Sequence, residues 1–412
     1  MFTFNFNELM WVLSSAIDLV GITDTNHGKR VAFYASEINA RLGLDWSQDD
    51  LVIACLLHDC GVSSTDVHEN LVREMVWDQA GAHCQRGAEL LAEQDLLRHL
   101  APVIAHHHTS WEQLGGLELP ERIKELANLI FLADRLDVLV ATSPGEILGA
   151  NRRIIERLAD LSPQLFDPRM IRALKKAAHS DAFWLVRTID GLSLHFRSWL
   201  DSQQSRLFEY EEVIPLFGLF ASCVDGKSPY TAYHSKGVRD LSLYLGHLSG
   251  LPKETLHRMA IAGLLHDLGK LRVPDHILEK PGPLDELEFS SMRHHSFDTW
   301  DILGRIPGFE AIATWASCHH EKLDGSGYPF RLTGEQISIE SRIITVADII
   351  QALVHKRPYR QEPLPPSRIQ EILKDMVDTG KTDPTITGLA LADFDECCRY
   401  AESGKGDAIA FL

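Results

Sequence analysis

One ordered series of histidines and aspartates occurs twice along this chain, and it constrains what the chain can fold into. Each copy has a histidine, a His-Asp pair, another histidine, a short histidine run and an aspartate. The successive intervals are 31, 25, 23 and 28 residues in the first copy and 32, 29, 24 and 29 in the second. Five matched positions in the same order indicate a tandem duplication. The matched positions are His27, His58-Asp59, His83, His106-His107-His108 and Asp134, and then His234, His266-Asp267, His295, His319-His320 and Asp348.

The sequence between these positions has the spacing of helices. Apolar residues recur at intervals of three and four, as in Ile123-Leu126-Ala127-Ile130 and Ile369-Ile372-Leu373-Met376. Alternating patterns typical of strands are scarce. A chain of 412 residues also exceeds one typical core. We therefore predict an all-α fold of two tandem helical domains, residues 1–200 and 207–412, with the boundary in the polar stretch around Asp201 to Arg206.

The composition argues against several classes of partner. A net charge of −18 disfavours binding to DNA or RNA polymers, which requires a basic face. No apolar run approaches the roughly 20 residues of a membrane helix, and the first residues lack the basic region of a secretory signal. The seven cysteines form no CxxC pair, which is typical of a reducing compartment. We therefore expect a cytoplasmic protein without a membrane partner.

The second copy of the series has the chemistry of a metal site. Histidine and aspartate on apolar helices are costly to bury unless a bound cation compensates them. This copy offers seven such side chains, more than one ion with four to six ligands uses. The surplus predicts two divalent ions bridged by a carboxylate, an arrangement that clamps a phosphate and generates a hydroxide nucleophile. The seven candidate ligands are His234, His266, Asp267, His295, His319, His320 and Asp348.

Three further motifs accompany these ligands. Lys270 follows the His-Asp pair, Asp324-Gly325-Ser326-Gly327-Tyr328-Pro329 follows the histidine run, and Arg357-Pro358-Tyr359-Arg360 follows the last aspartate. Over roughly residues 210–375 the chain resembles the HD-GYP branch of the HD superfamily of metal-dependent phosphohydrolases. Members of this branch are helical and hydrolyse cyclic dinucleotides, most often c-di-GMP, with a di-iron or di-manganese centre. The resemblance implies the same activity here.

The resemblance also implies a role for individual residues. One metal would be held by His234, His266, Asp267 and Asp348, and the other by His295, His319 and His320, with Asp267 bridging. Asp267 and Lys270 would be catalytic, and Lys270 would contact the scissile phosphate. Tyr328, Arg357 and Arg360 would hold phosphate oxygens. The glycine-rich turn at Gly327 would let the backbone approach a phosphate closely.

The chain departs from the pattern of this branch at a few positions. Ser296 and Thr299 stand where many members have proline and glycine, and Gln351 stands where most have aspartate. Tyr230 occupies the position at which members with a third metal usually place a carboxylate, so we predict two metal ions. None of these departures removes a predicted ligand.

The first copy keeps candidate ligands but lacks the residues for handling phosphate. Val62 replaces the lysine, and no Tyr-Pro turn follows the histidine run. Because buried charged ligands are costly without a cation, their retention favours a metal-bound site in a regulatory or structural domain. A second, different phosphohydrolase activity remains an alternative. The candidate ligands are His27, His58, Asp59, His83, His106, His107 and Asp134.

We therefore predict a phosphodiesterase that opens a cyclic dinucleotide through a hydroxide activated by two metal ions, iron or manganese. The substrate is c-di-GMP or 3′,3′-cGAMP. The alternatives are a receptor that binds a cyclic dinucleotide without cutting it, and an HD hydrolase of another nucleotide. The sequence leaves two kinds of protein partner open, a second copy of the chain in a homodimer or a signalling protein.

Overall fold

The computed structural model describes residues 2–21, 26–228, 233–356, 360 and 362–403. These residues form α-helices with two short strands, so the prediction of an all-α fold is confirmed. Contacts divide the chain into two compact units, one of residues 5–206 and one of residues 207–412 together with 1–4.

The N-terminal unit is a series of helices connected by short loops. A 3-10 helix, Arg98–Leu100, precedes the sixth of them. The helices are α1 (Phe6–Ile17), α2 (His27–Leu42), α3 (Gln48–Leu57), α4 (Thr65–Arg73), α5 (Ala80–Ala92), α6 (Ala101–Ala105), α7 (Trp111–Gly115), α8 (Glu121–Thr142), α9 (Ile147–Asp160), α10 (Pro168–Ala177), α11 (Asp181–Leu185), α12 (Ile189–His195) and α13 (Arg197–Leu200).

The C-terminal unit combines helices with a two-stranded sheet of β1 (Phe2–Phe4) and β2 (Arg206–Phe208). Phe4 stacks on Phe208 with ring centroids 4.5 Å apart, which holds the first strand in this unit. The 3-10 helices are Leu268–Arg272, Cys318–His320 and Gly334–Gln336. The α-helices are α14 (Tyr210–Asp225), α15 (His234–Leu248), α16 (Lys253–Leu265), α17 (Asp275–Leu278), α18 (Glu286–Leu303), α19 (Glu310–Ser317), α20 (Ile339–Val354), α21 (Pro366–Asp378), α22 (Pro384–Ala392) and α23 (Phe394–Ser403).

Corresponding helices of the two units carry the duplicated histidines and aspartates. Helices α2 and α15 begin at the first histidine of each series, and α3 and α16 end directly before the His-Asp pair. The third histidine lies on α5 or α18, and the last aspartate lies within α8 or α20. The duplication seen in the sequence is therefore a duplication of helical framework.

The helices α8 and α20 are the apolar centres of their units. Leu129 and Ile130 of α8, like Ile343 and Ile350 of α20, are completely buried. Burying each such side chain stabilises the fold by about 1.5–3 kcal/mol. This packing fixes the backbone on which the last aspartate of each series stands. No helix of the described residues combines the length and the apolar character needed to cross a membrane.

A glycine after each His-Asp pair brings the pair against the helix with the third histidine. A Cβ atom on Gly61 would lie 1.9 Å from the carbonyl oxygen of His83, and one on Gly269 would lie 2.1 Å from that of His295. Neither position can accept a side chain without moving backbone. These two close approaches draw separate segments of the series to one place in each unit.

Candidate metal centre

Four side chains of the C-terminal unit converge on one point. His234 Nε2 lies 3.1 Å from His266 Nε2 and 3.2 Å from Asp267 Oδ2. Asp348 Oδ1 lies 3.4 Å from His234 Nε2 and 3.9 Å from His266 Nε2. Ligands that are about 2.0–2.2 Å from one ion are roughly 3–4 Å from each other. The four atoms therefore fit a single divalent cation.

A second group of ligands adjoins the first one. His295 Nε2 and His319 Nε2 are 3.4 Å apart, and each lies 3.6 Å from Asp267 Oδ1. His320 completes this group. Asp267 Oδ1 is buried and makes no hydrogen bond within the described structure. Asp267 thus turns one oxygen toward each group, which is the position of a bridging carboxylate.

Backbone carbonyls orient three of these imidazoles. Nδ1 of His266, His295 and His319 lies 2.8, 2.6 and 2.6 Å from the carbonyl oxygen three residues earlier. Each Nδ1 therefore carries the proton and donates it, and the lone pair of Nε2 faces the cluster. This is the tautomer that binds a metal ion through Nε2.

Burial keeps part of the cluster in the metal-binding protonation state. It lowers the pKa of His295 to about 4 and that of His319 to about 3. The pKa of the Asp267 carboxyl is held well below its usual range by His266 and Lys270, although burial opposes this. The pKa of His266 is raised instead, because Asp267 and Asp348 outweigh the effect of burial, and a bound cation would replace that proton. Neutral His295 and His319 and an ionised Asp267 at neutral pH suit a divalent cation.

Two of the residues that depart from the HD-GYP sequence pattern support the cluster. The side-chain oxygen of Gln351 lies 2.5 Å from Nδ1 of His234 and orients that ring. The hydroxyl of Thr299 donates to the carbonyl oxygen of His266 and accepts a hydrogen bond from the amide of Gly269, at 3.2 and 3.0 Å. Both departures from the pattern therefore preserve the position of a predicted ligand.

Glu321 fixes the loop that follows the histidine run. Its side chain is 2% exposed, and its two carboxylate oxygens accept hydrogen bonds from the amides of Phe330, Arg331 and Leu332 at 2.6–3.0 Å. We predicted no role for this residue from the sequence. The sequence feature that could have indicated this role is that Glu321 directly follows two histidines predicted to bind a metal ion.

The glycine-rich turn packs against the chain itself. A Cβ atom on Gly327 would lie 2.5 Å from Cα of Glu321 and 2.6 Å from the carbonyl oxygen of His320. Glycine is required there by backbone packing, a reason different from the phosphate approach expected from the sequence. The turn brings the ring of Tyr328 to 4.8 Å from that of His320, measured between centroids.

The basic residues predicted to bind phosphate have different surroundings. Lys270 Nζ lies 2.5 Å from Asp267 Oδ2, and its side chain is 17% exposed, so it stands at the open edge of the cluster. The guanidinium of Arg360 donates to the carbonyl oxygens of Ala352, Leu353 and His355 and so ties its segment to the end of α20. Arg357 lies outside the described residues.

Arg293 is a further cation near the cluster. Its guanidinium lies 5.3 Å from the ring centroid of Phe289, and that ring is 6.0 Å from the ring of Tyr328. Among the described residues, no carboxylate forms an ion pair with Arg293. Phe289 also lines an apolar cavity of 670 Å³, together with Met292 and the loop 281–284. The sequence offered little to identify Arg293 beyond its position two residues before His295.

The N-terminal unit builds the same kind of cluster. Asp59 Oδ1 lies 3.5 Å from His83 Nε2 and 3.7 Å from His107 Nε2, and these two nitrogens are 3.2 Å apart. Asp59 Oδ2 lies 3.4 Å from His58 Nε2. The two groups able to hold an ion are Asp59, His83, His107 and His108, and His27, His58 and Asp134.

One expected ligand of the N-terminal unit is replaced by its neighbour. The sequence prediction included His106 and His107, but the structure brings His107 and His108 into the cluster. His106 directly follows α6, is half-buried, and its Nδ1 lies 3.4 Å from the hydroxyl of Thr109. The end of α6 thus directs its ring away from Asp59.

The N-terminal cluster lacks the basic edge of the other one. Val62, at the position of the lysine, is 3% exposed and belongs to the core. Arg135 is next to the cluster, but it pairs with Asp134 at 2.8 Å. A cavity of 290 Å³ bounded partly by His27, Asp59 and Arg135 reaches the ligands. The unit can therefore hold ions that remain accessible from a cavity.

Comparison with known proteins gives two matches to family models, both described as "HD domain", over residues 200–386 and 25–139. HD domains are metal-dependent, in agreement with the two clusters. The chain is 34% identical over 393 residues to 3′3′-cGAMP-specific phosphodiesterase 1 of Vibrio cholerae, covering 93% of this chain and 90% of that protein.

Two other relatives match different extents of the chain. It is 40% identical over 133 residues to a cyclic di-GMP phosphodiesterase of Pseudomonas aeruginosa, covering 32% of each. The crystal structure of a cyclic GMP-AMP-specific phosphodiesterase of V. cholerae (V-cGAP3) is similar with a TM-score of 0.64, 24% identity, and coverage of 96% and 98%. This last likeness concerns the fold.

Proposed function

This chain belongs to the HD-GYP family of the HD superfamily, and on that premise we propose that its C-terminal domain hydrolyses a cyclic dinucleotide to the linear dinucleotide. The observation that carries the proposal is the position of Asp267. Its two oxygens face two groups of buried ligands beside Lys270, an arrangement suited to hydrolysis of a phosphodiester.

We infer that the C-terminal domain holds two divalent ions, iron or manganese. The buried Oδ1 of Asp267, which lacks a hydrogen bond, supports this inference, as do the imidazoles whose Nε2 atoms face inward. When bound, ions at such positions lower the pKa of water and offset the charge of a phosphate. One ion would be held by His234, His266, Asp267 and Asp348, and the other by Asp267, His295, His319 and His320.

The chain's own residues then position the phosphodiester and compensate its charge. In the reaction a water adds to phosphorus and the bond to the 3′ oxygen breaks, which leaves a 5′ phosphate and a 3′ hydroxyl. Lys270 would stabilise the negative charge that grows on the equatorial oxygens, and the hydroxyl of Tyr328 would donate to one of them. Arg357 and Arg360 remain predicted contacts of phosphate oxygens.

We propose 3′,3′-cGAMP as the preferred substrate, with c-di-GMP as the second. The relative that matches over 93% of this chain is named as specific for 3′3′-cGAMP, whereas the cyclic di-GMP phosphodiesterase matches over 32%. Arg293, which forms no ion pair with a carboxylate among the described residues, would supply a base-binding surface with Phe289 next to the cluster, since an aromatic face stacks on a base and a guanidinium recognises guanine.

We assign the N-terminal domain a regulatory or structural role. It lacks the lysine and the Tyr-Pro turn that accompany the C-terminal ligands. Its candidate ligands are His27, His58, Asp59, His83, His107, His108 and Asp134. A homodimer or a signalling-protein partner would act through this domain.

The duplication supplies a matched test of the assignment. Full-length protein loaded anaerobically with iron or manganese is assayed with 3′,3′-cGAMP and c-di-GMP. The double variant His266→Ala/Asp267→Ala should abolish linear product, whereas His58→Ala/Asp59→Ala should retain turnover. Full turnover in the first variant, or tight binding without turnover in fully loaded wild type, would overturn the proposal.

A further inference from the structure

Cys84 lies beside the N-terminal ligands at a position that the C-terminal series fills with serine. Its Sγ is 3.7 Å from Nε2 of His83 and 3.9 Å from Nε2 of His107. The cysteine is 1% exposed. The corresponding residue after the third histidine of the C-terminal series is Ser296, whose hydroxyl is 3.2 Å from Nε2 of His295.

The sulfur extends a set of atoms with the dimensions of a tetrahedral metal site. Asp59 Oδ1, His83 Nε2 and His107 Nε2 are separated by 3.2, 3.5 and 3.7 Å, and Sγ adds distances of 3.7 and 3.9 Å. Ligands at about 2.0–2.1 Å for nitrogen or oxygen and about 2.3 Å for sulfur are roughly 3.3–3.8 Å apart in a tetrahedron. Three of the five separations lie within that range, and the other two, 3.2 and 3.9 Å, lie 0.1 Å outside it.

Buried atoms without hydrogen bonds point independently to a bound cation. His58 Nε2 and Asp59 Oδ1 both face the cluster and make no hydrogen bond in the described structure. His58 is 1% exposed, and its Nδ1 lies 2.8 Å from the carbonyl oxygen of Cys55, so its Nε2 presents a lone pair. Buried acceptors in this state are costly unless a cation compensates them.

We propose that the N-terminal domain binds a divalent ion through Asp59, His83, His107 and the thiolate of Cys84, and that this thiolate gives the position a preference for zinc. Thiolate is a softer ligand than carboxylate or hydroxyl, and a tetrahedral set of sulfur, nitrogen and oxygen ligands suits zinc. A ring nitrogen of His108 lies within 4.8 Å of the ligand atoms of Asp59, His83 and His107, so His108 is the competing fourth ligand that the test below must separate from Cys84.

The consequence is that the two domains hold different metals. At the corresponding place the C-terminal domain offers the hydroxyl of Ser296, together with imidazoles and carboxylates that suit iron or manganese. The inference concerns metal binding by the N-terminal domain and does not depend on the activity of the C-terminal one.

Cobalt(II) spectroscopy tests the thiolate directly. Full-length protein freed of metal is titrated with cobalt(II), which reports a bound thiolate by a sulfur-to-cobalt charge-transfer band in the near ultraviolet. We expect this band in the wild type and its loss in Cys84→Ser, which recreates the serine of the C-terminal series. Cys318→Ser should keep the band, since that cysteine adjoins His319 but its sulfur contacts Ser317.

Metal analysis adds a second readout. After dialysis against equal zinc and manganese, the wild type and Cys318→Ser should each retain one equivalent of zinc more than Cys84→Ser does. A band that persists in Cys84→Ser would overturn the proposal, as would wild-type protein fully loaded with cobalt that shows no such band. The second outcome needs no variant, so a folding defect in Cys84→Ser cannot rescue the proposal.

Discussion

The side-chain oxygen of Gln351 lies 2.5 Å from Nδ1 of His234. Gln351 stands on α20, one turn beyond Asp348. It accepts the proton of the imidazole and leaves Nε2 facing Asp267 and Asp348. In the N-terminal unit the corresponding residue is Asp137, whose carboxylate lies 2.7 Å from Nδ1 of His27. An amide and a carboxylate therefore perform the same orienting role in the two units.

Removing the amide oxygen of Gln351 should weaken metal binding. In Gln351→Ala the ring of His234 loses the acceptor that fixes its tautomer, and we expect metal affinity or turnover to fall about 10- to 100-fold. Gln351→Asp should retain most of both, because a carboxylate also accepts this proton. Titration of metal-free protein with manganese provides the measurement. Equal affinity in Gln351→Ala and the wild type would contradict the role.

Truncating Glu321 should disturb the loop and leave the ligands in place. Glu321→Ala removes the acceptor of three backbone amides, each of which then costs about 1–3 kcal/mol unless water reaches it. We expect a raised KM and a lower kcat with normal metal content. Glu321→Gln should be milder, since one of its acceptor oxygens remains. Loss of metal in parallel with activity would assign Glu321 a different role.

Substituting Arg293 should weaken substrate binding. It lies over Phe289 without a carboxylate partner among the described residues, and we expect Arg293→Ala to raise KM about tenfold, equivalent to about 1.4 kcal/mol. Arg305→Ala is the control, because Arg305 is an exposed arginine that pairs with Asp301. Steady-state kinetics with 3′,3′-cGAMP and c-di-GMP would show whether the effect depends on the base. An unchanged KM for both substrates would remove Arg293 from the binding surface.

Chelation should lower the thermal stability of the protein. Ions that bind the folded state alone add about 2.7 kcal/mol at a free concentration one hundred times Kd. Without them Oδ1 of Asp267 stays buried without a hydrogen bond, so the melting temperature should fall and recover on adding manganese. His266→Ala/Asp267→Ala should show a smaller shift on chelation. Calorimetry that shows the same shift in both proteins would place the stabilising ions elsewhere.

The sequence identified the ligand series because the chemistry of each position is fixed. Histidine and aspartate are common ligands of divalent cations, and the duplicated order made those residues recognisable in both halves. It favoured His106 and His107, whereas the structure brings His107 and His108 into the cluster, because which ring faces the cluster depends on where α6 ends. It also left Gln351 as an unexplained departure, since its role lies in a contact with a residue 117 positions earlier.

Three further contacts could not be inferred from the sequence. Arg360 stays a predicted phosphate contact, but the sequence did not indicate that its guanidinium also donates to carbonyl oxygens at the end of α20. Gly327 was expected to admit a phosphate, but its missing side chain admits the backbone of Glu321. In the sequence Cys84 is one of seven scattered cysteines, and only the structure shows that its sulfur lies near the imidazoles of His83 and His107.

The sequence by itself determined the helical class, the duplication and the ligand types, since helical periodicity and metal chemistry are written in residue identity and spacing. The tertiary structure alone decided which oxygen of Asp267 faces which group and which histidine of a run enters the cluster. It also decided that Cys84 joins one site while Ser296 stands at the other. These outcomes depend on separations of a few ångströms between atoms far apart in the chain, and only the packing of α2, α5 and α8, or of α15, α18 and α20, sets such separations.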